Sequence, residues 1–143
     1  MNSPVVVYTD GSCLKDGTGA WACSIRRNGE SWYHLAGIEG DTTNNRMELT
    51  AVCKALEQTS ASDIIHLYSD SMYVLDGIRL ASRWCENGWK NNTGKDIRNK
   101  DLWMKYLQLS ENFTIKGFHV KGHAGVVENE VVDSLAASMY TRQ

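Results

Sequence analysis

Proline is almost missing from this 143-residue chain, which has only Pro4, and no glycine- or serine-rich stretch reads as a linker between domains. No apolar run approaches the roughly 20 residues that a membrane-spanning helix needs. The opening Met1-Asn2-Ser3-Pro4 lacks the basic start and long apolar stretch of a secretory signal. Cysteine is sparse and scattered (Cys13, Cys23, Cys53 and Cys85), with no Cys-x-x-Cys pair. That spacing argues against a zinc site or disulfide framework and for free thiols in a reducing compartment. Disorder is excluded, because 42% of the residues are apolar and 22% charged, close to the globular average. A chain of this length buries a core without covalent staples. The expectation is one soluble, cytoplasmic domain over residues 1–143, with no membrane association.

Net charge is also low, −2 from 15 basic and 17 acidic residues, yet the charges are segregated. Residues 79 to 105 hold seven basic side chains (Arg79, Arg83, Lys90, Lys95, Arg98, Lys100, Lys105) against three acids, a local balance of +4, while the rest stands at −6. An acidic body attracts cations and a basic arm attracts an anionic polymer. The ordinary alternative is a solvated helical face.

Periodicity sets out the elements. Pro4 to Thr9 is a β-branched run of the kind buried on both faces, followed by a glycine-bearing turn from Gly11 to Gly19. Strands near 21–27 and 31–38 flank Asn28-Gly29, a hairpin signal. From Met47 the apolar residues Leu49, Val52 and Leu56 recur at helical steps. A strand over 63–69, a helix over 72–80, a basic helix–turn–helix with its turn at 91–94, a strand over 113–120 and a helix over 128–140 complete the chain. The order βββ-α-β-α-α-β-α predicts an α/β fold. Its sheet is mixed, with an antiparallel meander of three strands, further strands in parallel pairings, and helices on both faces.

Four acids occupy positions suited to chemistry. Asp10 ends the first strand, Glu48 lies in the first turn of the first helix, Asp70 ends the fourth strand, and Asp133 lies inside the last helix. Sites in open α/β sheets form beyond the carboxyl ends of strands, where Asp10 and Asp70 would be neighbours. Each acid also has an ordinary explanation. Asp10 can satisfy turn amides, Asn45 with Glu48 fits a capping box, Asp70 fits an N-cap, and Asp133 fits a solvated helix position. Converged, however, the four would repel one another by roughly 4 kcal/mol per pair at about 4 Å. That repulsion calls for positive charge, and an all-oxygen donor set favours magnesium or manganese. Paired hard cations suit in-line phosphodiester cleavage. His123, between Gly122 and Ala124, is placed to shuttle a proton; the plain alternative is a solvated loop histidine. His34, His66 and His119 read as strand residues.

Several blocks in order resemble a known family: Tyr8-Thr9-Asp10-Gly11-Ser12-Cys13, Thr42-Thr43-Asn44-Asn45-Arg46-Met47-Glu48-Leu49, Ser69-Asp70-Ser71, and Val120-Lys121-Gly122-His123-Ala124-Gly125 with Asn129-Glu130 and Asp133. They look like type 1 ribonuclease H, over essentially the whole chain. Trp84, Trp89-Lys90 and Asp101-Leu102-Trp103 resemble the basic protrusion, or handle, of the bacterial branch, and no separate hybrid-binding domain is found at the N-terminus. The resemblance implies a ribonuclease H-like fold with a five-stranded mixed sheet flanked by helices. It implies hydrolysis of the RNA strand of RNA/DNA hybrids, leaving 5′-phosphate and 3′-hydroxyl ends.

The same resemblance carries two Mg2+ ions, with Mn2+ able to substitute, onto Asp10, Glu48, Asp70 and Asp133, and proton transfer or product release onto His123. Cys13, Asn44 and Asn45 match minor-groove contacts; Thr43, Arg46 and Asn99 match contacts to DNA-strand phosphate; Trp84 and Lys90 belong to the handle. A monomer acting on a hybrid duplex, with no obligate protein partner, is implied. Departures occur at Asp16, where a neutral asparagine is common, at Met72, which replaces a glutamine and its amide, and at Val126-Val127, which replace His-Pro. Another metal nuclease of this fold and a non-catalytic hybrid-binding module are the competing expectations.

Overall fold

The computed structural model describes residues 4–60, 63–122 and 124–142. Five strands form one sheet in the order β3-β2-β1-β4-β5: β1 (Val5–Cys13), β2 (Gly19–Arg26), β3 (Tyr33–Glu39), β4 (Ile64–Ser69) and β5 (Thr114–His119). β1 to β3 form the antiparallel meander, and β4 and β5 add in parallel. The helices are α1 (Asn44–Glu57), α2 (Met72–Glu86), α3 (Lys100–Ser110) and α4 (Val127–Met139), with a short 3-10 turn at Tyr140–Arg142. The expected mixed α/β sheet with helices on both faces is therefore the observed one.

β1 is central because Val5, Val7, Tyr8 and Thr9 are all buried, which only a strand covered on both sides achieves. On one side α1 packs against β1 and β2, with α2 and α3 beside it; Val7, Leu49, Val52, Leu67 and Trp103 belong to that core. On the other side Val132 and Ala136 of α4 meet Tyr8, Ala20 and Ala22. The four cysteines carry no disulfide.

Several expected boundaries shift for physical reasons. β1 does not end at Asp10; it continues to Cys13, because Gly11 to Cys13 pair with Trp21 to Gly19. The turn shrinks to residues 14–18, closed by Leu14 N–H to Thr18 O at 2.7 Å. α1 starts at Asn44, and its N-cap is Thr43, whose hydroxyl accepts from Arg46 N–H at 3.2 Å. Asn45 is thus inside the helix rather than capping it, and Glu48 lies beyond the first turn. The cap of α2 is Ser71, accepting from Val74 N–H, which leaves the Asp70 carboxylate out of the capping role. α2 also runs on to Glu86, its apolar face continuing through the buried Ala81 and then Trp84, which is edge-on to Trp103; the same ring meets the helix earlier, at Gly77.

That last contact is tight. A Cβ at Gly77 would lie 2.1 Å from the Trp103 ring, and Trp103 is fully buried with Nε1–H donating to Tyr73 Oη at 2.9 Å. Gly77→Ala is expected to lower stability by about 1–3 kcal/mol through overpacking, despite alanine's better helix propensity. A denaturant midpoint equal to or above wild type would contradict this packing.

Candidate active site

The parallel pairing of β1 with β4 stops at Tyr8 opposite Tyr68. Two residues on, β1 carries Asp10 and the chain leaving β4 carries Asp70, so the same register sets these acids side by side on α4's face of the sheet. Glu48 arrives from the other side. Gly11 makes this possible: any Cβ there would sit 2.3 Å from Glu48 N and Met47 C, so the α1 backbone rests directly on β1. Glycine at position 11 serves a close approach rather than the turn expected from the sequence. Asp133 of α4 completes the group through a side-chain hydrogen bond with Asp10.

The result is a compact carboxylate cluster. One oxygen each from Asp10, Glu48 and Asp70 all lie within 4.8 Å of one another. Asp10 and Glu48 are 7% and 8% exposed, and no basic side chain pairs with these three acids among the described residues. Burial first, then the neighbouring Asp70 and Asp133 charges, push the Asp10 carboxyl well above the usual carboxylate range. Burial and the charges of Asp10 and Asp70 push Glu48 up as well. The Gly11 backbone N–H opposes both shifts without reversing them. Glu48 Oε1 is buried without a hydrogen-bond partner, a costly state for a polar atom. A divalent cation with a preference for oxygen ligands relieves both the repulsion and the orphaned oxygen. These residues fit a divalent metal site.

Several residues expected to meet substrate stand on the same chain segments as the cluster's acids: Cys13 on β1, Asn44, Asn45 and Arg46 on α1, and Met72 after Asp70. Cys13 Sγ donates to Thr42 O at 3.2 Å, tying the end of β1 to the exposed start of α1 at Thr43, Asn44 and Asn45. Arg46 reaches the handle: Nη1 and Nη2 bind Asp101 Oδ1 and Oδ2 at 3.0 and 2.8 Å, and Nη1 also reaches Asn99 Oδ1 at 3.3 Å. Asn99 adopts a left-handed backbone (φ 59°) and donates through Nδ2 to Tyr73 Oη at 2.8 Å. Met72, 49% exposed, opens α2 directly after the site.

Two handle residues sit differently from a bare basic arm. Trp84 is half-buried, edge-on to Trp103 at 5.5 Å, and Lys90 is ion-paired with Asp96. Asp16 turns back on its own loop, accepting from Thr18 N–H at 2.8 Å. His123 lies outside the described residues. Of the other histidines, His34 is hydrogen-bonded to Ser24 Oγ, and His66 packs edge-on against Phe118.

Three residues make contacts that the sequence reading assigned to none of them, although Asp101 and Asn129 stand in the motif blocks. Tyr73 ties Asn99 to Trp103, Asp101 holds the Arg46 guanidinium, and Asn129 is 3% exposed with Oδ1 unpartnered one turn before Asp133. Only Asn129 had a usable signal, its four-residue spacing from Asp133 on one helix face.

Comparison with known proteins agrees with this geometry. The RNase H family model matches residues 2–140. The chain is 40% identical over 141 residues to Ribonuclease H of Oleidesulfovibrio alaskensis, covering 96% of this chain and 91% of that protein. It is 40% identical to Ribonuclease H of Rhodopseudomonas palustris, covering 97% and 93%. Among solved structures it is similar to LC9-RNase H1, described as a type 1 RNase H with the type 2 active-site motif, at TM-score 0.84 and 30% identity over 100% of this chain and 75% of that one. The fold also recurs in a foamy viral protease-reverse transcriptase solved in complex with an RNA/DNA hybrid, at TM-score 0.81 and 20% identity, over 99% of this chain and 20% of that one. With a family match over nearly its whole length and a carboxylate cluster assembled from three or more separate elements, the chain belongs to the RNase H family.

Proposed function

We propose that this protein is a ribonuclease H: an endonuclease that hydrolyses the RNA strand of RNA/DNA hybrids and leaves 5′-phosphate and 3′-hydroxyl ends. The observation that carries this reading is the convergence of Asp10, Glu48 and Asp70 oxygens within 4.8 Å in a chain of this family. Asp10, Glu48, Asp70 and Asp133 would hold two Mg2+ ions, with Mn2+ able to substitute. When bound, such ions lower the pKa of an attacking water and stabilise the leaving oxygen.

The chain's own residues do the rest. Cys13, Asn44 and Asn45 meet the minor groove, where 2′-hydroxyls distinguish RNA from DNA. Thr43, Arg46 and Asn99 take a phosphate of the DNA strand. Asp101 occupies the Nη1–Nη2 end of the Arg46 guanidinium, which leaves its Nε–Nη2 edge for that phosphate. Trp84 supports the handle from beneath, and Lys90 adds to the handle's charge. Residues 1–143 act as one catalytic domain, monomeric and cytoplasmic, with no obligate protein partner.

His123 supplies or accepts a proton. Gly122, its neighbour in the chain, lies against Asp70, where a Cβ would be 3.1 Å from Oδ2. His123→Ala is expected to lower kcat by about a hundredfold with a smaller change in KM; an unchanged kcat in steady-state assays removes the histidine from the reaction.

The direct test is a strand-labelled RNA/DNA hybrid resolved on a gel, with and without Mg2+, beside an all-DNA junction. Cutting confined to the RNA strand and to the lane with metal is the expected pattern. Binding without cutting makes the protein a hybrid-binding module, and cutting of the junction makes it another nuclease of this fold.

A further inference from the structure

On α4's face of the sheet, the acidic row is the end of a longer pattern. Two residues before Asp10 and Asp70 stand Tyr8 and Tyr68, cross-strand partners, and Tyr68 is opposite Phe118 on β5. Their rings form one stack, with centroids 4.7 Å apart at 10° and then 5.0 Å apart at 21°. Two residues further back, Val6 lies between Arg26 and His66, and His66 is opposite Lys116. An aromatic row and then a basic row thus follow the carboxylates, at spacings of about 7 Å each.

This flank of the sheet is open. α4 packs on β1, β2 and β3, while α2 packs on β4 and β5 from the opposite side. Phe118 ends the stack on an edge strand and is 37% exposed; Arg26 and Lys116 are exposed. A cavity of about 310 Å³ adjoins the stack, lined by Tyr8, Tyr68, Trp32, Arg26 and Arg27 among others. The Arg26 guanidinium lies 5.9 Å from the Trp32 ring centroid. Arg27 is held by Asp63 at 3.0 Å, Arg26 donates its Nε–H to Glu30 O at 3.2 Å, and the Glu128 carboxylate bounds the cavity from α4; Lys116, on the edge strand, is the exposed cation beside Phe118.

Tyr8 is buried and its ring and that of Tyr68 cover each other's faces, so the exposed Phe118 at the end of the stack is the ring within reach of a base. An exposed ring beside cations is the chemistry that binds single-stranded nucleic acid: a base stacks and phosphates are neutralised, without regard to sequence. A duplex keeps its bases inside and cannot use such a ring. We propose that this strip binds a single-stranded extension of the hybrid, so that a hybrid carrying a single-stranded tail is held more tightly than a blunt one. Charge complementarity and continuity with the acidic row carry the inference, which rests on the hybrid-nuclease reading.

The test measures anisotropy of a labelled short single-stranded RNA, and of the same sequence in DNA, in EDTA, together with Mg2+-dependent cleavage of tailed and blunt hybrids. Lys116→Glu and Phe118→Ala are each expected to weaken single-strand binding about tenfold and to abolish the advantage of the tailed hybrid, with blunt-hybrid cleavage unchanged. Lys116 is solvent-exposed, so its variant remains informative if Phe118→Ala folds poorly. Equal single-strand affinity of wild type and Lys116→Glu, or equal KM of the wild type for tailed and blunt hybrids, overturns the proposal. A wild type that cuts neither hybrid defeats the nuclease reading instead, and the anisotropy series still decides whether the strip binds single strands.

Discussion

Asp10→Asn is expected to reduce hybrid cleavage by roughly three orders of magnitude or more and, in the same protein, to raise thermal stability without metal. Both effects have one origin. Asp10 is buried against Glu48, Asp70 and Asp133, and its carboxyl is pushed well above the ordinary range chiefly by desolvation. Ionising it in the metal-free fold is costly, so removing the charge relieves the fold while it removes a metal ligand. Amide for carboxylate preserves volume and leaves the backbone at Gly11 untouched. Calorimetry in EDTA near pH 8 should show the variant melting about 3 °C or more above wild type. A variant that melts lower, or one that cleaves at the wild-type rate, removes Asp10 from the centre of the cluster.

The second large effect is the exchange between protons and divalent cations. Asp10 and Glu48 have raised carboxyl pKa values in the folded protein, so above about pH 4 the fold retains protons that the unfolded chain has released. Stability from this source is complete below the ordinary carboxylate range and is lost as pH rises through the raised values. Metal-free wild type should therefore lose ground to Asp10→Asn as pH climbs from about 4 toward 8, and the gap should close again at the acid end. Mg2+ acts in the opposite direction because it binds only the assembled cluster. At a hundredfold excess over Kd it adds about 2.7 kcal/mol, and the increment should be largest where the carboxylates are ionised. Melting curves at several pH values, with EDTA or Mg2+, check both halves. A gap between wild type and variant that narrows with rising pH, or a wild-type Tm indifferent to Mg2+ near pH 8, would contradict the cluster's electrostatics.

Much of this was legible along the chain. The element order and the hairpin at Asn28-Gly29 follow from local signals, since residue spacing and turn chemistry act over a few residues. The four acids stood out from their places near strand ends and in helices. Boundaries were less legible. Asp10 looks terminal when Gly11 is read as a turn residue, yet Gly11 is there because α1 lies against β1, a contact between residues almost forty positions apart. Asp70 looks like a cap until Ser71 is seen to take that role.

Sequence alone determined which side chains were available: four acids, a basic segment, free thiols, and an order of strands and helices compatible with one sheet. Tertiary structure decided which of them meet. Register between β1 and β4 set Asp10 beside Asp70, close packing at Gly11 delivered Glu48, and α4 supplied Asp133. The same packing paired Lys90 of the basic segment with Asp96 and drew Arg46 of α1 onto that segment's Asp101, and it lined up Tyr8, Tyr68 and Phe118 from three separate strands. The division has a physical cause: propensity acts over a few neighbouring residues, whereas pairing and charge repulsion act through space, between groups that only the folded chain brings into reach.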